Sequence, residues 1–263
     1  MRFTKMHGLG NDYLFVFGEV PPDVAELSRR LSDRHFGAGS DGMIYIGASD
    51  VADFSMRIFN ADGSEAQMCG NGIRCVGKYV FERALTDKTT LAIETLAGIR
   101  TLTVHAQDGV VRSATVDMGR AQVSERLTLD VGGTPVTLTP VSMGNPHAVI
   151  FLGDAEVAPV GEMGPALEHH EAFPEGVNVE FASVVSATRL RMRVWERGSG
   201  ITWACGTGAC ATVAAAAAQG LVAFGEPVTV VLDGGELKVT VDEGMRVTME
   251  GPAETVYEGE IER

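Results

Sequence analysis

The chain has 263 residues, 45% of them hydrophobic and 21% charged, with a formal net charge of −14 at pH 7. That is length enough for two domains of ordinary size, and a balance too acidic for a nucleic-acid or anionic-membrane surface. Four cysteines are too few for a disulfide scaffold, and the five residues between Cys69 and Cys75 and four between Cys205 and Cys210 lack the Cys-x-x-Cys pairs of a zinc site. Reduced thiols and no metal are therefore expected. No apolar run approaches ~18 residues, and Gly8 and Gly10 interrupt "MRFTKMHGLGNDYLFVF" before a secretory core can form, so cytoplasm is the expected location.

In chain order, the pattern predicts a strand pair around Gly8 to Gly10, an amphipathic helix near Asp23 to Arg34, and strands near Met43 to Gly47 and Ala52 to Asn60. "GAGSDG" at Gly37 to Gly42 lacks the Gly-x-Gly-x-x-Gly dinucleotide pattern. Cys69-Gly70-Asn71-Gly72 then opens a segment, Ile73 to Leu85, in which Ile73, Val76, Val80 and Phe81 recur at helical spacing. A hairpin follows across Thr90 to Val104. After a boundary near Val110 to Asp117 come strands in "TPVTLTPVSM" and "HAVIFLG", a short helix near Met163 to His170, and two strands in Val177 to Glu196. Next is "ITWACGTGACATVAAAAAQG", whose alanines make Ala209 to Gln219 a helix stopped by Gly220. Strands in "PVTVVLDGGELKVTV" complete the second half.

The chain reads twice. Arg57-Ile58-Phe59-Asn60 precedes Cys69 as Arg193-Val194-Trp195-Glu196 precedes Cys205, at the same interval of nine, and the two cysteines lie 136 positions apart. "GLGNDYLFVFG" and "SMGNPHAVIFLG" both set Gly-Asn before an apolar run, with Asn11 and Asn145 separated by 134. Three elements in one order at nearly one offset predict two copies of one fold. The expected class is α+β: two pseudo-symmetric halves, each a curled, mostly antiparallel or mixed sheet around a central helix. The halves are placed at residues 1–113 and 114–251, with a strand in 252–263 returning to the first.

Each cysteine stands at a helix N-terminus, where unpaired N–H groups and the macrodipole favour a thiolate and draw a free-thiol pKa of about 8.5 toward working pH. Two such helices aimed at a shared cleft suit inversion of a carbon stereocentre, with one thiolate taking a proton from one face and one thiol returning another. Glycines beside each cysteine let backbone N–H groups approach a carboxylate and stabilise charge as the α-proton leaves, so no pyridoxal phosphate is required.

"MHGLGNDY", "FNADGSEAQMCGNGIRC", "SMGNPHAV", "GVNVEF" and "WERGSGITWACGTGAC" together resemble the diaminopimelate epimerase family, over the whole chain. The resemblance implies cofactor-independent conversion of LL-2,6-diaminopimelate to the meso form, for lysine and peptidoglycan precursors, by a homodimer. It implies Cys69 and Cys205 as the acid–base pair, and Gly70, Asn71, Gly206 and Thr207 as carboxylate-holding backbone. Asn11, Asn60, Asn145, Asn178, Glu196 and Arg197 are the implied polar substrate set, with His147 and Glu196 tuning the thiols.

Two departures stand out: Gly42 occupies a position where the family often has Gln, and Thr207 one where Ser also occurs. A racemase of another amino acid is the competing enzyme reading, but proline racemase-like relatives tend to have His where Asn71 follows Cys-Gly. A redox protein with a regulatory disulfide is the non-catalytic alternative. Cys75 and Cys210 read as core, the alanine run, Trp195 and Trp203 as packing, and His7, His35, His105, His169 and His170 as surface or loop.

Overall fold

A two-residue turn, Leu9–Gly10, joins β1 (Arg2–Gly8) to β2 (Asn11–Phe17), with Gly8 opposite Asn11. Both turn residues have positive φ, 57° and 87°, the twist that a right-handed antiparallel pair demands. The computed structural model describes residues 1–261, and the chain divides into two units, Met1–Asp117 with the residues from Gly251 on, and Met118–Glu250.

In the first unit the chain continues through α1 (Val24–Ser32), β3 (Gly42–Gly47), β4 (Phe54–Asn60), the two-residue β5 (Glu65–Ala66), α2 (Gly70–Glu82), β6 (Thr90–Thr95) and β7 (Gly98–Gln107). The pairs β2–β3 and β4–β6 are parallel and the rest of this unit's ladder is antiparallel. A parallel neighbour requires a crossover, and α1 and α2 supply the two. The sheet is covered on both faces. From β3, Met43 and Tyr45 join Phe3, Leu14, Leu27, Leu31 and Phe59 in the core beneath α1, whereas Ile44 meets α2. That helix packs on β1 and β2 at one end of the strand order and β7 at the other, so the sheet curls around it.

Within β8 (Val110–Arg120) the chain passes to the second unit, which holds β9 (Gln122–Val123), β10 (Leu127–Val131), β11 (Thr134–Ser142), β12 (Pro146–Phe151) and α3 (Val160–Glu168). There follow β13 (Asn178–Ser186), β14 (Arg189–Glu196), β15 (Gly200–Ile201), α4 (Gly206–Ala218), β16 (Val228–Leu232), β17 (Gly235–Val241) and β18 (Arg246–Gly251). Here β12–β13 and β14–β16 are the parallel pairs. The succession β1 to β7 of the first unit is repeated as β11 to β17, helix for helix and pairing for pairing. α4 touches β11, β12, β13, β14, β16 and β17, and is buried from Gly208 to Ala217. The fold is α+β, two halves of one topology with a curled mixed sheet around a central helix in each.

Register makes the correspondence residue by residue. Leu14 faces Met43, which faces Phe59; Ala148 faces Val179, which faces Trp195. Tyr13 is thus equivalent to His147, Gly42 to Asn178, Ile44 to Glu180 and Asn60 to Glu196. The last strand, β19 (Glu254–Glu260), pairs antiparallel with β1. Of the strand expected across 252–263, positions 262 and 263 lie outside the described residues. Among the described residues, no helix is long and apolar enough to cross a membrane.

Candidate active site

Cys69 has extended backbone and caps α2, its Sγ accepting the Gly72 N–H at 3.3 Å. The thiol donates to Asn11 Oδ1 at 3.3 Å, and the Asn71 amide reaches the same oxygen at 3.4 Å. Asn11 is held in turn by Asp41, whose Oδ2 accepts its Nδ2 at 2.8 Å and the Asp12 N–H at 3.0 Å. Arg34 bridges Asp12 and Asp41, and Lys5 meets Asp12 at 2.8 Å. Burial pushes the Asp12 carboxyl up, but the Arg34 and Lys5 hydrogen bonds outweigh it and hold the group below its ordinary range. Burial first, and then Asp12, raise Asp41. The Tyr13 hydroxyl, hydrogen-bonded to Asn11 and Cys69, is raised well above its ordinary range by burial and then by Cys69. Beneath this network the fully buried Arg74 guanidinium donates to Gly70 O and Asn71 Oδ1 at 3.0 Å and to Pro252 O at 3.1 Å. Gly8 leaves room for it, since a Cβ there would fall 2.8 Å from Arg74 Nη2.

Cys205 caps α4 in the same manner, accepting the Gly208 N–H at 3.3 Å, with Thr207 Oγ1 at 3.6 Å. Its surroundings differ. His147 Nδ1 lies 2.6 Å from Glu180 Oε1 with both side chains 0% exposed, and Nε2 lies 3.1 Å from Asn145 Oδ1. The Asn145 amide donates to Thr207 Oγ1 at 3.3 Å, closing a chain from Glu180 to the first turn of α4. Glu196 accepts from the Thr202 hydroxyl and hydrogen-bonds Cys205; burial raises its carboxyl, those two bonds offset part of the rise, and Glu180 adds to it. Asn178 ties the site's edges together, donating to Pro146 O at 2.9 Å and accepting the Arg197 N–H at 3.0 Å, while Arg197 Nη1 donates to Glu175 O.

The structure thus gathers Asn11, Cys69, Gly70 and Asn71 in the first unit, and Asn145, His147, Glu196, Cys205, Gly206 and Thr207 in the second. Asn60 does not join the Cys69 network; its amide donates to Ser64 Oγ at 3.1 Å in the turn after β4. Two expectations are corrected. Cys205 is not drawn toward neutrality: burial, then Glu196 and Glu180, push its thiol well above the ordinary range and outweigh the Gly208 N–H. Trp203 is not packing, being 68% exposed, whereas Trp195 lies against Gly164 and donates Nε1–H to Glu168 at 2.6 Å. At position 42 a side chain has no room, because a Cβ would fall 2.2 Å from Phe59 O.

Cys75 and Cys210 are core residues, and burial pushes the Cys75 thiol up to about 12. His35, His105 and His169 are exposed and His7 and His170 half-buried. Sequence reasoning missed Tyr13, Asp41, Arg74 and Glu180. All four sit inside the quoted stretches, and Glu180, two positions beyond Asn178 on one strand, shares its face.

A repeated α+β fold, with a cysteine-capped helix inside a curled mixed sheet in each half, defines the structural class. The hydroxyproline epimerase from Agrobacterium vitis matches with a TM-score of 0.73 at 19% identity, over 99% of this chain and 90% of that one, a likeness of fold. Two relatives named diaminopimelate epimerase are much nearer in sequence. That of Acetivibrio thermocellus is 47% identical, over 100% of this chain and 99% of its own length, and that of Bacteroides thetaiotaomicron 50%, over 100% and 98%. The family model described as diaminopimelate epimerase matches residues 3–124 and 139–256. The chain belongs to the diaminopimelate epimerase family, and is an isomerase.

Proposed function

We propose that this protein converts LL-2,6-diaminopimelate to the meso isomer without a cofactor, using Cys69 and Cys205 as its two acid–base groups. One thiolate removes the proton from an α-carbon, breaking the C–H bond, and the other thiol gives its proton to the opposite face; the two then stand with exchanged protonation. The observation that carries the reading is the twin cap: each sulfur accepts the N–H of the third residue of its turn, at 3.3 Å in both halves. Backbone N–H groups of Gly70, Asn71, Gly206 and Thr207, in the first turns of α2 and α4, serve the reacting carboxylate, whose developing negative charge they stabilise. Asn11, Asn60, Asn145, Asn178, Glu196 and Arg197 serve the remaining polar groups, because each buried charge left unpaired is expensive. His147 and Glu196 tune the two thiols. A homodimer in the cytoplasm accompanies this reading.

Deuterium uptake tests it. Reduced protein and LL-diaminopimelate in D2O are expected to give meso product with deuterium at one α-carbon, and Cys69→Ala or Cys205→Ala to lower turnover by at least about a thousandfold. Turnover unimpaired in either variant removes the two-thiol mechanism; none in the unmutated protein removes the substrate.

A further inference from the structure

Beside the cysteine-capped helix the two halves carry opposite chemistry at equivalent buried positions, Ile44 and Glu180. A Cβ built on Gly72 would fall 2.6 Å from Ile44 Cδ1, and one built on the equivalent Gly208 would fall 2.7 Å from Glu180 Oε1. An apolar residue satisfies this fold in the first unit, so packing does not call for a carboxylate in the second. The carboxylate is also costly, since its side chain is fully buried and Oε2 has no hydrogen-bond partner among the described residues. Its Oε1 meets His147 Nδ1 at 2.6 Å.

We propose that Glu180 is a positioning residue that keeps His147 protonated on both ring nitrogens and, through His147, fixes the Asn145 amide against Thr207 at the head of the Cys205 helix. The inference rests on the reading of Cys205 as an acid–base group. Proton accounting supports it. The Asn145 Nδ2 group donates to Thr207 Oγ1, so the atom turned to His147 is Oδ1, which only accepts. Nε2 therefore carries a hydrogen. Nδ1 faces Glu180 Oε1, and an ionised carboxylate only accepts, so with Glu180 ionised this bond places a second hydrogen on the ring. An imidazolium beside a carboxylate is neutral as a pair, which compensates the burial of both.

Two titratable groups flank the pair, Glu196 from the end of β14 and Cys205 ahead of α4. A thiolate formed at Cys205 during turnover stands near both carboxylates, and the His147 charge opposes them. An equivalent device is missing from the first unit at these positions, where Tyr13 and Ile44 stand in place of His147 and Glu180.

Two variants of the full chain test this: Glu180→Gln, of the same shape without the charge, and Glu180→Ile, which installs the residue of the other half. Histidine-selective 15N NMR without substrate at neutral pH reads the His147 nitrogens. The expected result is a doubly protonated ring in the unmutated protein and a single neutral tautomer in both variants, with kcat down at least about tenfold and KM within about twofold. A singly protonated His147 in the unmutated protein overturns the proposal. So does an undiminished kcat in a folded variant, or a fall in kcat that merely tracks loss of folded protein. Because the spectrum needs no substrate, failure of the substrate reading leaves this test intact.

Discussion

Gly72 and Gly208 hold the same place in the two halves, yet an added methyl would meet different chemistry at each. At Gly72 it meets Ile44 Cδ1 at 2.6 Å and Met56 Cε at 3.0 Å, the ends of flexible apolar chains that can rotate aside. At Gly208 it meets Glu180 Oε1 at 2.7 Å, an oxygen held by His147, and the Cys205 Sγ at 3.2 Å. Helix propensity favours alanine by about 1 kcal/mol at both positions and so does not separate them. Gly72→Ala is expected to cost about 1–3 kcal/mol of overpacking. Gly208→Ala is expected to cost more, about 3–5 kcal/mol, because the carboxylate must leave its buried partner, and to reduce kcat by displacing the thiol. Urea denaturation and steady-state kinetics on the two variants decide the matter; equal costs would mean that Glu180 moves freely.

Both cysteine-headed helices were legible in the sequence, though each begins three residues earlier than its apolar periodicity suggests, at Gly70 and Gly206 rather than Ile73 and Ala209. Periodicity is carried by side chains, and the first turns are largely glycine; the helix starts where the sulfur captures an N–H. The roles of Asp41, Tyr13 and Glu180 were not legible, since each depends on strand register and on how deep the helix sits, neither of which local pattern encodes. Within α2, Cys75 gives an element-scale prediction. Its folded pKa, about 12 against an ordinary 9.0, means that the folded state holds this proton more tightly than the unfolded chain. The resulting stability is fully present below pH 9 and is lost as pH rises from 9 toward 12, by up to about 4 kcal/mol. Cys75→Ala lacks this dependence, so the unmutated protein should lose stability relative to the variant across that window, read as the difference between their denaturation midpoints. A constant difference would place the thiol in a far wetter setting.

At the scale of the molecule, the first unit is built from both ends of the chain. β19 lies along β1 from Arg2 opposite Glu260 to His7 opposite Glu254, and Tyr257 packs edge-on against Phe3 with ring centroids 5.9 Å apart. Pro252, just ahead of that strand, offers its carbonyl to the buried Arg74 at 3.1 Å. The C-terminal segment therefore supports the Cys69 turn from behind, because Arg74 also holds Gly70 O and Asn71. A chain ending at Glu250 loses the β1 pairing, exposes that edge, and deprives a buried cation of one acceptor, a cost of about 1–3 kcal/mol for the orphaned donor alone. The second unit, closed within Met118–Glu250, keeps its own ladder around α4. Hydrogen exchange on the truncated and intact proteins should then diverge by region: amides of α2 lose protection, and those of α4 exchange at their former rates. Loss of protection in both helices alike would mean that the halves unfold as one cooperative body, and unchanged protection in α2 would mean that Arg74 is held well enough by its acceptors within the helix.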